Sequence, residues 1–118
     1  MKTAYGEIRP FVTKDGSEIR ELMHPSVHGV RHQSLAEAVV APGMTARLHR
    51  HGQSEEIYHI TAGTGLMMLG GEDFPVAPGD TVLIPPGTPH GIRNTGVEPL
   101  RILCSCAPPY SDDDTELL

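Results

Sequence analysis

Three histidines and one glutamate in this 118-residue chain have the side-chain types and the spacing of a metal site. His49 and His51 are separated by one residue, Glu56 follows them, and His90 lies much further along the chain. Imidazole and carboxylate groups are ligands for Mn, Fe, Ni, Zn and Cu. Because side chains alternate between faces along a β-strand, a spacing of two places both histidines on one face, whereas a helix needs a spacing of four. The pattern predicts one divalent transition metal on the inner face of a β-sheet.

The residues around the first three candidates follow a longer pattern. Gly43 is followed by five residues and His49, then one residue and His51, four residues and Glu56, and six residues and Gly63. A pair of histidines two apart is common by chance, so this frame is more informative than the pair itself.

A second pattern surrounds the fourth candidate, and fifteen residues separate it from the first. Gly79 is followed by five residues and Pro85, one residue and Gly87, two residues and His90, and three residues and Asn94. Together the two patterns resemble the paired motifs of the cupin superfamily at each fixed position.

The resemblance implies a fold, a ligand set and a type of site. The fold is all-β, an antiparallel jelly-roll β-barrel. The distance to Gly63 puts Glu56, rather than its neighbour Glu55, in the family's ligand position, with His49, His51 and His90 as the other ligands. Asn94 then supports a loop or the ligands without touching the metal. Such a ligand set leaves coordination positions open, which distinguishes catalytic from structural metal sites.

Composition independently indicates a small β-protein. The chain contains 13 Gly and 11 Pro, which fall between short alternating apolar runs and therefore indicate tight turns. About eight or more short strands without helical periodicity predict an antiparallel sandwich or barrel. The expected strands span 34–40, 45–51, 56–62, 65–69, 74–77, 81–84, 90–94 and 100–107.

The chain divides into three parts. Residues 1–33 form an N-terminal arm, with a turn at Asp15-Gly16 and a short strand near 17–23, and an arm of this kind often packs against a partner subunit. Residues 34–108 form the barrel, and residues 109–118 form an acidic tail that we expect to be exposed or lightly docked.

Charge and hydropathy exclude several kinds of partner. The net charge of −6 argues against nucleic acid, since phosphates require a basic surface. No apolar stretch is long enough for a bilayer and the N-terminus does not resemble a signal peptide, so we expect a cytoplasmic protein without a membrane partner. The need to cover an exposed edge strand predicts a homodimer.

Strand alternation also identifies two residues as candidate substrate contacts. Arg47 shares the face of His49 if the strand is regular, and Tyr58 shares the face of Glu56. An inward guanidinium needs an anionic partner, so Arg47 and Tyr58 are candidate contacts for a small-molecule ligand. The alternatives are that Arg47 extends from the barrel mouth and that Tyr58 belongs to the core.

Cys104 and Cys106 are the two cysteines of the chain. On a strand they share a face, but their Cα atoms are near the upper separation for a disulfide. We expect two buried free thiols, and the alternative is a pair of soft ligands or a redox pair beside the metal.

The functional hypothesis is a small metal-dependent enzyme of the oxygenase, lyase, decarboxylase or isomerase type, acting on an oxygen-rich or anionic substrate. The alternative is a non-catalytic metal-binding, small-molecule-binding or sensor domain. A further alternative is a metal-free barrel in which the four polar residues only form hydrogen bonds. This alternative is less favourable, because any of these buried groups left without a partner would be costly. The fold itself does not select among these functions.

Overall fold

Turn residues divide the chain into short strands, and the computed structural model describes all of residues 1–118. Its eleven strands are β1 Phe11–Val12, β2 Glu18–Met23, β3 Ser34–Val40, β4 Thr45–His51, β5 Glu55–Ala62, β6 Gly65–Leu69, β7 Glu72–Val76, β8 Thr81–Ile84, β9 His90–Asn94, β10 Leu100–Ala107 and β11 Thr115–Leu117. Two single-turn 3-10 helices, Tyr5–Glu7 and Asp112–Asp114, complete the elements. No helix has the length and hydrophobicity that crossing a bilayer requires.

The strands form two antiparallel sheets. The first sheet has the order β1-β2-β3-β10-β5-β8 and the second has the order β11-β4-β9-β6-β7. The all-β jelly-roll prediction is confirmed, with the difference that the two sheets do not close into a continuous hydrogen-bonded barrel.

Alternation along the strands builds the core from both sheets. On β5 the buried residues are every second one, including Tyr58 and Ile60, and β10 contributes Ile102 in the same way. Met67 and Ile92 come from the second sheet, and both are fully buried. Polar side chains at the same inward-facing positions are therefore enclosed between the sheets.

The N-terminal arm belongs to the first sheet of its own chain. β2 pairs antiparallel with β3, and β1 pairs with β2 across the turn at Gly16, whose φ is +91°. The expected strand and turn are present. Within the chain, β2 pairs with the edge of β3. Packing of the arm against a partner subunit stays a prediction.

The acidic tail is also part of the fold. β11 pairs with β4 in the register Thr115↔His51 and Leu117↔His49, so the tail covers the edge of the second sheet. The Asp114 carboxylate accepts hydrogen bonds from the backbone N–H groups of Gln53 and Ser54. The tail, expected to be exposed or lightly docked, is docked through strand pairing and these charged hydrogen bonds, and Thr115 is its one buried residue.

Candidate metal centre

The four candidate ligands converge from both sheets. His49 and His51 lie on β4 and His90 lies on β9, whereas Glu56 reaches the cluster from β5 of the opposite sheet. All four are buried, and one ligand atom from each lies within 4.8 Å of the others. The enclosed space between the sheets therefore contains three imidazoles and one carboxylate with converging polar atoms.

Backbone carbonyls determine the tautomers of two histidines. His49 Nδ1 lies 2.7 Å from the Arg47 carbonyl, and His90 Nδ1 lies 2.9 Å from the Thr88 carbonyl. A carbonyl oxygen only accepts, so both Nδ1 atoms carry hydrogen and donate. In the neutral rings the Nε2 lone pairs are then free, and they point into the cluster.

A residue of the tail determines the tautomer of the third histidine. His51 Nδ1 lies 2.9 Å from Thr115 Oγ1, and this hydroxyl donates its own hydrogen to the Ser111 carbonyl at 2.8 Å. Thr115 Oγ1 must therefore accept from His51 Nδ1–H. All three imidazoles thus present Nε2 as the available ligand atom, which is the arrangement that outer hydrogen bonds commonly impose on metal-binding histidines.

Glu56 Oε1 lies close to the ring nitrogens of two of the histidines. It is 3.1 Å from His51 Nε2 and 3.2 Å from His90 Nε2. Burial opposes ionisation of Glu56, but when the rings of His51 and His90 are protonated, their hydrogen bonds and positive charge outweigh it and lower the carboxyl pKa to about 2. The cluster therefore contains an ionised carboxylate oxygen that needs a proton or a cation beside it.

The chemistry of the cluster fits a metal ion. His90 Nε2 is buried and makes no hydrogen bond of good geometry, although Glu56 Oε1 lies 3.2 Å away, and this is a costly state for a polar atom. Burial is the leading cause that lowers the pKa of His49, and the neighbouring His90 is the next, so the neutral ligand form is favoured. A divalent ion would be coordinated by the free lone pair of His90 and by the carboxylate together.

A β-bulge in β4 brings the histidines into place and turns Arg47 outward. Ala46 pairs with Ile92 and His49 pairs with His90, so β4 has two residues between these pairs where β9 has only Gly91. Ala46 and His49 consequently both face inward. Arg47 is exposed, and its predicted inward direction was wrong because regular alternation does not continue through a bulge.

Gly91 permits this bulge. A Cβ at Gly91 would lie 2.9 Å from the Ala46 carbonyl oxygen and 3.3 Å from the Leu48 nitrogen, closer than side-chain carbons ordinarily approach backbone atoms. The missing side chain therefore lets β9 approach the bulged strand next to the candidate ligands.

Tyr58 and Asn94 have the inward direction that strand alternation predicts. Tyr58 is buried against the cluster, with its ring centroid 5.9 Å from that of His90. The Asn94 amide donates to the carbonyls of Val40 and Glu98, and its oxygen accepts from Gly96 N–H. Asn94 thus stabilises the loop after β9 and does not join the ligand cluster.

Asp15 is a residue of the site that the sequence analysis did not identify. Its Oδ1 accepts hydrogen bonds from Thr13 Oγ1, Ser17 N and Ser17 Oγ, while Oδ2 lies 3.7 Å from His49 Nε2. The turn Asp15-Gly16 was recognised for its conformation alone. The long-range pairing of β2 with β3 is what brings its carboxylate to the cluster.

Lys14 connects this turn to the tail. Its ammonium group donates to the carbonyls of Asp112 and Thr115 at 2.8 and 3.1 Å. The N-terminal arm and the C-terminal tail therefore meet beside the candidate ligands, although they lie at opposite ends of the chain.

A small cavity of about 40 Å³, room for a few water molecules, adjoins the cluster and opens to solvent. His49, His51 and Glu56 contribute to its wall. The other lining residues are Thr13, Lys14, Asp15, Ser17, Ile19, Glu21, Ser34, Ala36, Ala38, Tyr58, Cys104, Cys106, Tyr110 and Thr115. One side of the cluster therefore faces free space that is open to solvent.

Both cysteines line this cavity as buried free thiols, as expected. Burial, followed by the charge of Glu56, raises the thiol pKa of Cys104 and of Cys106. Burial also raises the pKa of the Tyr58 hydroxyl. All three groups therefore face the cavity in their protonated form.

Comparison with known proteins identifies the family and the fold. A family profile of the cupin domain matches residues 36–106. The uncharacterized protein MJ1618 of Methanocaldococcus jannaschii is 56% identical over 118 residues, which cover 100% of this chain and 94% of that protein.

Solved structures show the same fold. A predicted oxalate decarboxylase from Thermotoga maritima has a TM-score of 0.80 at 27% identity, covering 92% of this chain and 99% of that one. Pac13 of Streptomyces, a nucleoside dehydratase, has a TM-score of 0.80 at 18% identity, covering 100% of this chain and 90% of that one. At that identity the likeness to Pac13 concerns the fold alone.

Proposed function

The chain belongs to the cupin superfamily, and we propose that it is a small metal-dependent enzyme whose ion is held by His49, His51, Glu56 and His90. The observation that carries this proposal is the convergence of three Nε2 atoms and one ionised carboxylate oxygen in a buried cluster beside an open cavity. A bound divalent transition metal would supply Lewis-acid or oxygen-activating chemistry.

The residues around the ion would have distinct tasks. The carbonyls of Arg47 and Thr88 and the hydroxyl of Thr115 keep the three Nδ1 atoms protonated, so that each Nε2 remains a ligand. Apolar side chains such as Ile60 and Ile102 fill the space between the two sheets, and the cavity is the free space beside the cluster. A substrate would therefore approach from the cavity only.

Tyr58 is the proposed substrate contact. Its hydroxyl remains protonated in this buried setting and can donate a hydrogen bond to a substrate oxygen. Because Arg47 faces solvent, the cavity has no guanidinium to bind an anion, and Lys14 already donates to two carbonyls. These observations favour a small oxygen-rich molecule held through its oxygen atoms.

The first experiment determines whether a metal is bound and whether it supports turnover. The protein is purified without a nickel column, its metal content is measured, and loaded samples are assayed with oxalate, diketones, flavonols and sugar acids. Oxalate is included because of the similarity to the Thermotoga maritima protein. We expect close to one transition-metal ion per chain and turnover of at least one of these compounds.

Two histidine variants provide a matched comparison. His49→Ala removes a candidate ligand, and we expect loss of bound metal and of turnover. His59→Ala serves as the control, because His59 lies on the opposite face of β5 and contacts Thr81. Activity retained in His49→Ala refutes the metal-centred proposal. Ligand-dependent thermal stabilisation without turnover of any compound favours a binding or sensor domain instead.

We also propose that the protein is a homodimer. Leu35, Ile57 and Leu83 are exposed on the outer face of the first sheet, and cross-strand pairing through Ser105 places them in one row. An apolar row of this kind is typical of a surface that another chain covers. Light scattering after size exclusion should give a dimer, and a monomer contradicts the proposal.

The two free thiols support a reducing compartment such as the cytoplasm.

A further inference from the structure

We propose that Cys106 positions Glu56 for metal binding: its thiol donates a hydrogen bond to Oε2, so that Oε1 alone is presented to the ion. This role rests on the metal binding proposed above. It makes Cys106 a positioning residue, acting on the ion through Glu56.

Strand pairing sets the position of the thiol. Cys106 on β10 is the direct cross-strand partner of Glu56 on β5, and both side chains point into the space between the sheets. Cys106 Sγ lies 3.2 Å from Glu56 Oε2. On the other side of the carboxylate, Oε1 is 3.1 Å from His51 Nε2. The two carboxylate oxygens therefore have different partners.

This difference controls how the carboxylate can bind a cation. A carboxylate without other partners can rotate and coordinate an ion through both oxygens. Here the thiol engages Oε2 and leaves Oε1 directed towards the histidines. Hydrogen bonds of this kind to metal ligands orient them, and removing such partners commonly lowers metal affinity 10–100-fold.

The contacts favour this role over direct ligation by sulfur. The cluster whose ligand atoms lie within 4.8 Å of one another consists of three histidines and Glu56, and Cys106 is not a member of it. The nearest polar partner of its sulfur is a carboxylate oxygen, which accepts a hydrogen bond from a thiol and repels a thiolate.

Cys104 is a matched control within the same strand. It has the same inward direction, is buried and lines the same cavity. Its cross-strand partner on β5 is Tyr58, and its thiol contacts the Ile102 carbonyl at 3.9 Å. Truncation of Cys104 therefore removes a similar volume without affecting Glu56.

The test uses Co²⁺ as the probe. Wild type, Cys106→Ala, Cys106→Val, Cys106→Ser and Cys104→Ala are stripped with a chelator and loaded with Co²⁺. The Kd is measured by competition with a chelating dye, and the visible spectrum of bound Co²⁺ reports its coordination. Circular dichroism checks the fold, and the larger Val side chain decides the result if the Ala variant does not fold.

We expect Cys106→Ala and Cys106→Val to weaken Co²⁺ binding about 10–100-fold. The visible absorption of the bound ion should also weaken, because a second carboxylate oxygen raises its coordination number. Cys106→Ser restores a donor and should keep the Kd and spectrum close to wild type, as should Cys104→Ala.

Three results would overturn the role of Cys106 while leaving metal binding intact. They are an unchanged Kd and spectrum in Cys106→Ala and Cys106→Val, a Cys106→Ser variant as weak as these two, and a sulfur-to-cobalt charge-transfer band that disappears in Cys106→Ala. Failure of the wild-type protein to bind Co²⁺ overturns both this role and the proposed function.

Discussion

Replacing Thr115 with Val should weaken metal binding, although Thr115 touches no candidate ligand atom. Its hydroxyl accepts the hydrogen bond from His51 Nδ1–H at 2.9 Å, and the site is buried. Valine has a similar shape and cannot accept, so a buried N–H is left without a partner at a cost of about 1–3 kcal/mol. The Ser111 carbonyl keeps a donor in this variant, because it also accepts a hydrogen bond from Asp114 N–H at 3.1 Å.

The size of the effect follows from this cost. In the metal-free variant, His51 can avoid the unpaired Nδ1–H by moving its hydrogen to Nε2. Metal binding requires a free Nε2 and therefore restores the unpaired Nδ1–H. The free-energy cost thus arises on metal binding and raises the Kd. A loss of about 1.4–2.8 kcal/mol corresponds to a 10–100-fold weaker Kd, which agrees with the usual effect of such partners. Competition titration with Co²⁺ at pH 7.5 measures it.

Thr115→Ser is the control, because it keeps the hydroxyl that accepts from His51. We expect its Kd to lie close to that of wild type. A Kd for Thr115→Val equal to wild type, or an equally weak Kd for both variants, would refute the tautomer argument and leave β11 with a purely structural role.

Three further changes test other parts of the site. Gly91→Ala places a Cβ 2.9 Å from the Ala46 carbonyl, so thermal unfolding should show destabilisation by about 1–3 kcal/mol and metal titration a weaker Kd; an unchanged melting temperature contradicts the bulge argument. Asp15→Asn removes a charge 3.7 Å from His49 Nε2 and should weaken Co²⁺ binding about tenfold at low salt, with the thermal stability of the metal-free protein nearly unchanged. In the metal-free protein, Glu56 has its pKa lowered from 4.5 to about 2, so its contribution to stability is present above pH 4.5 and lost as the pH falls through about 2. The free energy of unfolding in urea should therefore fall less steeply for Glu56→Gln than for wild type as the pH is lowered from 4.5 to about 2. Glu55→Gln, at an exposed position, should follow wild type.

Much of the fold could be predicted because turn residues bound each strand. The predicted spans of six strands coincide with the observed β3, β4, β6, β8, β9 and β10. The predicted ligand side chains and Tyr58 also have the expected direction. β5 alternates through Glu56 and Tyr58, β4 alternates through His49 and His51 beyond its bulge, and His90 is fully buried at the start of β9. Arg47 does not, because it lies within a bulge that depends on the approach of another strand at Gly91.

The sequence by itself determined most of the strands, the four candidate ligands and the family to which the chain belongs, because these depend on the local spacing of glycine, proline, histidine and glutamate. The tertiary structure alone decided the surroundings of those ligands. Thr115 accepts from a histidine 64 positions earlier, and Cys106 contacts a glutamate 50 positions earlier. Such contacts arise from strand pairing between distant segments, and local periodicity contains no information about which distant strands pair.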